Sequence, residues 1–314
     1  MAAERISILY NPSAGMGRAL KKKLKLEHLL KHFEVRYDLT MTRSEEHLRQ
    51  LTREHARAYA TVVGAGGDST FHLMVNELVR AGTDVGFGMI GVGSSNDIAL
   101  EFGLDSLDEA CRALKAAHVR KIDLGCILEG NKPLAYFIGQ ANIGIGAFVN
   151  KYVADLSGRK LWLARRQTLA GILGIRQAYR SRRIPLRLKL TAEACHISGD
   201  YISIVFSNIK YWATGKIINP AALADDGRLD GCFVQHCSFP RLYRISSLAS
   251  KGRHGKAREV KFYQAPQFEV AAESPFEIQS DGEIVKTAEG RTSFQNITVA
   301  VLPQALKIIC PDNQ

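Results

Sequence analysis

The chain has 314 residues, of which 46% are hydrophobic and 23% charged, and its formal net charge is +11. This length is enough for two domains, and the composition is that of an ordinary globular protein. Because no apolar run approaches bilayer length and the N-terminus lacks the apolar core of a signal peptide, membrane-spanning and secreted proteins are disfavoured. We expect a cytoplasmic protein.

The first predicted strand, Ile6 to Tyr10, runs into a loop of small residues at 11–17 and then into a basic helical stretch from Arg18 to Phe33. We assign the apolar side of that helix to Leu20, Leu24, Leu26, Leu29, Leu30 and Phe33. The loop follows a strand end and precedes a helix, where phosphate can bind. A plain Asn-Pro turn is the alternative.

The most informative stretch is 61–70, in which an apolar strand meets a glycine cluster and a helix starts. Ser69 or Thr70 is the predicted cap of that helix. A glycine turn at this point gathers free backbone N–H groups into an anion site. Asp68 would repel phosphate unless a cation such as Mg²⁺ lay near, so the pattern favours a metal–nucleotide site. A tight connection without a ligand is the alternative.

A third loop of this kind, 93–97, follows the strand Val85 to Val92, and a further strand carries Asp123. The alternation of strand and helix predicts a doubly wound, mostly parallel α/β sheet, whose ligands bind at the carboxyl ends of the strands. Three small-residue loops at one edge are far more specific than any one of them.

The second half has a different pattern. Residues 151–183 form a strongly basic helical stretch, and after Pro185 short strands alternate with polar turns. This predicts a β-rich, sandwich-like C-terminal domain. The basic charge suits nucleic acid, an anionic membrane or a phosphorylated substrate. The six cysteines form no CxxC pair, and free thiols are expected.

These motifs together resemble the diacylglycerol kinase catalytic family, in particular the soluble bacterial lipid kinases related to sphingosine and ceramide kinases. The matching segments run from residue 6 to about 310. They are Asn11-Pro12 with Gly15, Gly66-Gly67-Asp68-Ser69-Thr70 with Asn76, Gly93-Ser94-Ser95-Asn96-Asp97-Ile98-Ala99, Asp123-Leu124-Gly125, Asp225-Asp226-Gly227 with Leu229-Asp230, and Asp281-Gly282-Glu283.

The resemblance implies ATP and Mg²⁺ in a cleft between a nucleotide-binding domain, residues 1–125 with 303–314 returning to it, and a lipid-substrate domain, residues 126–302. It implies that Glu283 accepts the substrate proton, with Asp281 and Asp68 as further catalytic residues, and that Asp226 binds a separate metal with the carbonyls of Leu223 and Arg228. The implied nucleotide ligands are Asn11, Pro12, Ser13, Ala14, Gly15, Thr42, Gly66, Gly67, Asp68, Ser69, Thr70, Ser94, Asn96, Asp97 and Asp123.

The implied function is ATP-dependent phosphorylation of a lipid hydroxyl, such as that of diacylglycerol. The expected partners are ATP and a lipid at an anionic inner-membrane surface, with 151–183 as the candidate contact. No nucleic acid is expected, and a homodimer is left open. A solvated basic helix face is the alternative to the membrane contact.

Two departures from the family pattern keep other functions open. Ser69 stands where glycine is usual, which would mean strain if its φ were positive, and Leu73 stands where an acidic residue is usual. The alternatives are a small-molecule kinase like the NAD kinases and a non-catalytic lipid- or nucleotide-binding protein. Taken alone, Asp281-Gly282 and Asp226-Gly227 are also ordinary turns.

Overall fold

The computed structural model describes residues 5–149, 152, 167–180, 186–193 and 195–312. In chain order the main elements of these residues are β1 (Ile6–Tyr10), α1 (Ala19–His32), β2 (Tyr37–Met41), α2 (Glu45–Ala58), β3 (Thr61–Gly66), α3 (Asp68–Arg80), β4 (Gly86–Gly91), α4 (Asp97–Glu101), α5 (Leu107–Ala116), β5 (Val119–Glu129), β6 (Lys132–Phe137), β7 (Gln140–Gly144), α6 (Gln167–Arg180), β8 (Leu186–Ala192), β9 (Cys195–Ser207), β10 (Tyr211–Trp212), β11 (Lys216–Ile217), β12 (Leu229–Gln235), α7 (Phe239–Ala249), β13 (Val260–Ala265), β14 (Gln267–Ser280), β15 (Glu283–Ile284) and β16 (Ser293–Ile309).

The N-terminal part is the predicted doubly wound α/β fold. Strands β2, β1, β3 and β4 lie side by side and parallel. The end of β16 continues this sheet on the other side of β4, with Lys307 opposite Gly86. All the β1, β3 and β4 carboxyl ends therefore meet at one edge, as expected of parallel strands joined by helices.

Helices cover both faces of this sheet because consecutive strand residues point to opposite sides. Leu9 and Val62 pack with Phe71 and other side chains of α2 and α3. Their neighbours Ile8 and Val63 pack on the opposite side with α1 and α5. The near-continuous apolar strands of the sequence are thus explained by burial on both faces.

The C-terminal part is β-rich and mainly antiparallel, which confirms the predicted fold class. Strands β7, β9, β12 and β13 pair antiparallel, and β14 pairs with β7, β8 and β16. Its core is rich in phenylalanine, with Phe206, Phe233 and Phe268 in mutual contact. The basic stretch predicted as a membrane contact lies mostly outside the described residues.

Two long strands, β5 and β16, pair with each other in both parts of the molecule. Their register shifts between Leu302 and Leu306, and Gln304 there has a positive φ of 48°. The expected division at 125/126 and 302/303 falls beside this irregularity. The exact domain boundaries stay a prediction.

One sequence expectation about α1 is wrong. Ala19, Leu26 and Leu30 face the sheet, but Leu20 and Leu24 are 53% and 78% exposed. The six apolar residues of this helix cover too wide an arc for one buried face, since residues one turn apart share a face and the others rotate away from it. Two leucines consequently point to solvent among lysines.

The predicted cap of α3 is also corrected. The helix begins at Asp68 with Gly67 as its N-cap, so Ser69 and Thr70 lie inside its first turn. By contrast, Ser44 and Ser106 cap α2 and α5 as their sequence patterns predict. No helix in the described ranges is long and apolar enough to cross a bilayer.

Candidate functional site

A cleft of about 350 Å³ lies between the α/β part and the β-rich part. The carboxyl-end loops after β1, β3 and β4 form its first wall, and β7, residues 209–213 and the end of β14 form its second wall. Of the sequence-predicted site residues, it brings together Asn11, Ala14, Gly15, Gly67, Asp68, Ser69, Thr70, Ser94, Asp97 and Asp281.

The first wall is held together by a close approach of two glycine loops. A Cβ added to Gly93 would lie 2.7 Å from the Cα of Gly67, so neither loop could stay in place with a side chain there. Asn11 fixes the loop after β1, because its Nδ2 donates to Thr70 Oγ1 at 3.0 Å and its Oδ1 accepts from Ser13 N. The three loops therefore form one surface beside the start of α3, where backbone N–H groups favour an anion.

Asp68 sits at the base of this wall and joins two of the loops. Its two carboxylate oxygens accept hydrogen bonds from the backbone N–H groups of Asp97 at 3.2 Å and Ile98 at 3.1 Å. Burial, followed by the charges of the nearby Asp97 and Asp281 carboxylates, raises the pKa of Asp68 to about 6 despite those hydrogen bonds. A bound cation would relieve this unfavourable charge.

Asp97 crosses the cleft. Its carboxylate accepts from the N–H groups of Thr214 at 2.9 Å and Gly215 at 2.7 Å, in the turn between β10 and β11. Burial raises the pKa of Asp97 despite these bonds. This residue therefore ties the start of α4 to the second wall, in addition to lining the cleft.

Asp281 lines the cleft and also holds the neighbouring backbone in place through hydrogen bonds. Its carboxylate accepts from the N–H groups of Ile138, Gly139 and Gln140 at 2.8–2.9 Å, and its side chain is only 1% exposed. His72 of α3 lies 3.3 Å from it through Nδ1. With its oxygens engaged in this way, Asp281 is poorly placed to accept a substrate proton.

The sequence analysis did not identify the residues of the second wall. Gln140 and Asn142 of β7 contribute to it together with Tyr211, Trp212 and Gln279. Gln140 Nε2 donates to Tyr211 O at 2.7 Å, which attaches the short strand β10 to β7. No local motif marks these residues, because they come together only through the pairing of β7 with β14 and through this long-range hydrogen bond.

The charge of the cleft is unusual for a phosphate site. Asp68, Asp97 and Asp281 line it, whereas no Lys, Arg or His does so among the residues that the structure describes. Backbone N–H groups alone would not balance a triphosphate beside three carboxylates. Carboxylate oxygens are ligands that suit Mg²⁺. The described part of the chain nevertheless holds no group of three or more His, Cys, Asp or Glu side chains placed to bind a metal, so Mg²⁺ at this cleft stays a prediction.

Several predicted nucleotide ligands lie outside the cleft lining: Pro12, Ser13, Thr42, Gly66, Asn96 and Asp123. Thr42 is buried behind the first loop, where its N–H and Oγ1 both donate to Tyr10 O. Asn96 Oδ1 accepts from Gly93 N and shapes the third loop. These residues support the site from behind, and direct contact with a nucleotide stays a prediction for them.

Asp123 has a different place from the one expected. Its carboxylate accepts from Gly227 N at 2.7 Å and from Gln304 N at 2.8 Å, and the residue is 1% exposed. It fixes the register break of β16 and the turn that follows Asp226. The structure does not bring Asp123 to the cleft.

Glu283 lies in a neighbouring cleft of about 670 Å³, which also receives His72 and Leu73 of α3. Gly282 lines both clefts, so the two meet at the turn between β14 and β15. Asp281 and Glu283 therefore face different cavities. Whether Glu283 is the base stays a prediction.

The proposed separate metal site is an exposed loop. Asp226 Oδ1 accepts from Arg228 N, and Oδ2 accepts from Gln264 Nε2, both at 3.0 Å. No cluster of three or more His, Cys, Asp or Glu side chains suited to a metal occurs in the described part of the chain. A metal held by Asp226 with the carbonyls of Leu223 and Arg228 stays a prediction.

The two departures noted in the sequence have mild local consequences. Ser69 lies in the first turn of α3 and is not among the residues with positive φ, so the anticipated strain does not arise. Leu73 is 7% exposed and packs in the core between α3 and its neighbours.

Comparison with known proteins gives a consistent result over the whole chain. Residues 5–127 match the diacylglycerol kinase catalytic domain, and residues 139–310 match the YegS C-terminal NAD kinase beta sandwich-like domain. A diacylglycerol kinase of Mycobacterium tuberculosis is 28% identical over 311 residues, covering 98% of this chain and 95% of the relative. A diacylglycerol kinase of Staphylococcus saprophyticus is 24% identical and covers 89% of each chain.

The fold is also found in solved structures. A crystal structure of a diacylglycerol kinase from Bacillus anthracis superimposes with a TM-score of 0.69 at 16% identity, covering 99% of this chain and 98% of the other. The two matched domains define the class as a diacylglycerol kinase-like protein of two parts, in which a doubly wound α/β sheet faces a β-sandwich-like part. The chain belongs to the family of diacylglycerol kinases and related lipid kinases.

Proposed function

We propose that the protein is an ATP-dependent lipid kinase that transfers the γ-phosphoryl group of ATP to a hydroxyl of a diacylglycerol-like lipid. The observation that carries the proposal is an acidic cleft to which three loops at strand ends contribute. None of the described residues that line this cleft has a basic side chain. Family membership and the names of the relatives supply the lipid acceptor. We also propose that the domains divide at 125/126 and 302/303. The enzyme would be cytoplasmic and bind transiently to the inner membrane surface.

In this proposal the loops at 11–15, 66–70 and 93–97 hold the phosphates of ATP. Asp68, with Asp97 and Asp281 nearby, would hold Mg²⁺, which would neutralise and align the phosphate oxygens. The acceptor hydroxyl oxygen attacks the γ-phosphorus, the bond to the β–γ bridging oxygen breaks, and ADP leaves. Glu283 takes the hydroxyl proton at the junction of the two clefts.

Two carboxylates compete for the role of base. Glu283 is the residue implied by the family pattern, and its support here is the shared Gly282 turn. Asp68 lines the cleft directly, and its pKa of about 6 in the absence of a cation suits proton transfer near neutral pH only if another group holds the ion. Replacement of each carboxylate by its amide separates the two roles. The variant that lacks the base should lose the plateau of the transfer rate at alkaline pH. The variant that lacks the metal ligand should lose activity that added Mg²⁺ partly restores.

A NAD kinase-like activity is the second candidate, because the matched C-terminal family model is described as NAD kinase beta sandwich-like. A non-catalytic protein is less well supported, since Ser69 adopts an ordinary helical conformation. The test is transfer of labelled phosphate from ATP and Mg²⁺ to lipid vesicles containing diacylglycerol, to NAD, or without acceptor, with wild type beside Glu283→Ala. A labelled lipid that is absent with the variant supports the proposal; labelled NADP or no product contradicts it.

A further inference from the structure

The cavity that contains Glu283 differs in charge from the cleft that the three loops form. We call this cavity of about 670 Å³, which lies between α2, α3, β6 and β15, the Glu283 cleft. Its described lining includes four cationic side chains, which are Arg49, Arg80, Lys132 and Lys286. The carboxylates in that lining are Glu45 and Glu283, which leaves an excess of two positive charges. The first cleft has the opposite sign, with three carboxylates and no cation among its described lining residues.

Two of the four cations are held in place by one buried carboxylate. Glu77 of α3 pairs with Arg49 at 2.9 Å and lies 3.8 Å from Arg80, and Arg53 pairs with its other oxygen at 2.6 Å. Three guanidinium groups around one carboxylate leave positive charge uncompensated on this side of the cleft. Arg80 Nη2 also donates to Leu134 O at 3.1 Å. These contacts orient the two arginines before a ligand binds, which lowers the entropic cost of binding.

The other two cations come from the opposite side of the Glu283 cleft. Lys132 begins β6, Lys286 lies just after β15, and both residues are exposed. Guanidinium groups on one side and ammonium groups on the other suit a phosphate group, since its oxygens accept several charge-assisted hydrogen bonds at once.

Apolar side chains also line the Glu283 cleft. Leu73, Leu134 and Val285 contribute to it and are at most 7% exposed. Leu73 stands where the family pattern has an acidic residue, so this chain has an apolar group where a carboxylate would add negative charge. A ligand with both an anionic group and an apolar part matches this lining better than a small inorganic ion does.

The position of the Glu283 cleft favours an acceptor over the nucleotide. None of its described lining residues belongs to the loops at 11–15, 66–70 or 93–97, whose backbone N–H groups suit the phosphates of ATP. Gly282 lines both clefts, so a molecule in the Glu283 cleft can reach the first cleft at this turn. An anionic group bound beside Glu283 would therefore lie close to the point at which the two clefts meet.

We propose that the Glu283 cleft binds a phosphate group that the acceptor lipid already carries. A phospholipid with a free hydroxyl is then a better acceptor than a neutral glyceride with the same acyl chain. This inference rests on the proposed lipid kinase function and narrows its substrate class. The bound phosphate is unchanged in the reaction: the free hydroxyl oxygen attacks the γ-phosphorus of ATP, its proton passes to Glu283, and ADP leaves.

The first test is calorimetric binding by the full chain, without ATP, of octanoyl lysophosphatidate and of monooctanoylglycerol, which differ by one phosphate group. We expect the phosphate-bearing probe to bind roughly tenfold or more tightly. Lys132→Gln with Lys286→Gln should remove most of this difference, and added salt should reduce it. Equal affinity for the two probes, or a difference that this lysine pair leaves intact, would overturn the proposal.

The matched control is Lys251→Gln with Lys256→Gln. It replaces two exposed lysines of the C-terminal part that do not line the Glu283 cleft, so the change in net charge is the same. We expect this control to leave the affinity for lysophosphatidate within about twofold. An equal loss of affinity in both lysine pairs would show an effect of net charge alone and contradict the proposed site.

Glycerol phosphate and inorganic phosphate distinguish a lipid headgroup from a soluble phosphate. Both should bind roughly tenfold or more weakly than lysophosphatidate, because they lack an acyl chain to contact the apolar lining. Affinities equal to that of lysophosphatidate would assign the cleft to a soluble phosphate compound and overturn the proposal.

ATP is the competing occupant of the Glu283 cleft. Lys132→Gln with Lys286→Gln should leave the affinity for ATP within about twofold. A loss of ATP affinity as large as the loss for lysophosphatidate would place the triphosphate in this cleft and overturn the proposal.

Phosphate transfer separates this inference from the proposed function. Wild type should have a higher kcat/KM for lysophosphatidate than for monooctanoylglycerol, and the substitutions at Lys132 and Lys286 should lower that ratio by roughly tenfold. No transfer by wild type to any acceptor would contradict the kinase proposal alone, because calorimetry measures phosphate binding in the Glu283 cleft without chemistry.

Discussion

The two walls of the cleft differ in how they are encoded. The first wall consists of three strand–loop–helix units, each continuous in sequence, with the shared edge supplied by the parallel sheet. The second wall is assembled from Gln140, Tyr211 and Gln279, which are distant in sequence. They come together through the antiparallel pairing of β7 with β14 and the hydrogen bond from Gln140 to Tyr211 O. A local chemical signal can reveal the first kind of wall, whereas the second kind depends on the whole sheet.

This contrast suggests a division of labour in which the first wall binds the nucleotide and the second wall positions the acceptor. Substitutions in the first wall should then affect nucleotide binding and transfer, and those in the second wall should affect the acceptor.

The largest effect is expected for Asp68→Asn. Loss of the charge that holds the cation should lower phosphoryl transfer by about 10²–10³-fold. Circular dichroism and thermal unfolding of the variant are the controls for folding, because the substitution also exchanges one of two hydrogen-bond acceptors for Asp97 N and Ile98 N. A folded variant with near wild-type transfer would refute the role assigned to Asp68.

The same residue should make stability depend on pH. Burial raises its pKa to about 6 in the folded state, above the ordinary aspartate value of 3.8, so the folded protein binds the proton more tightly. The contribution of the Asp68 carboxyl group to the free energy of unfolding is therefore complete below pH 4 and is lost as pH rises through 6. The free energy of unfolding falls by ~3 kcal/mol over this range because of this group. Urea unfolding without Mg²⁺ between pH 4 and 7 measures it. If the free energy of unfolding changes with pH equally in wild type and Asp68→Asn, the pH dependence of stability comes from other groups.

Gly93→Ala should disturb the first wall by geometry alone. The new methyl group would lie 2.7 Å from Gly67 Cα and 2.8 Å from Asn96 Oδ1, so the two glycine loops must separate. We expect about tenfold weaker ATP binding by calorimetry. Gly130→Ala, at an open turn with a φ of 58°, is the control for general loss of stability and should leave ATP affinity unchanged.

Gln140→Leu should give the smallest effect and a different kind of defect. It removes the hydrogen bond to Tyr211 O that holds β10 at the second wall. We expect the acceptor KM to rise by roughly threefold to tenfold with the ATP KM unchanged, in line with the loss of about one hydrogen bond. A rise in the ATP KM instead would contradict the division between the walls.

The sequence predicts the fold class and most of the first wall because periodicity and glycine loops are local signals. The sequence analysis places Asp123 among the nucleotide ligands on the basis of its Asp-Leu-Gly segment. That segment does not reveal that the N–H groups of Gly227 and Gln304 will donate to the Asp123 carboxylate. It cannot identify His72 as the neighbour of Asp281, since that contact spans 209 residues. The outward direction of Leu24 is equally hidden, because α1 carries more apolar residues than one face can bury.

The most direct test of the central claim is ³¹P NMR of a mixture of ATP, Mg²⁺ and dioctanoylglycerol with the full chain. The account predicts ADP and one new phosphomonoester resonance in equal amounts, both formed about 10²–10³-fold more slowly by Asp68→Asn. ADP accompanied only by inorganic phosphate, or unchanged ATP, would contradict the claim that this cleft transfers a phosphoryl group to a lipid hydroxyl.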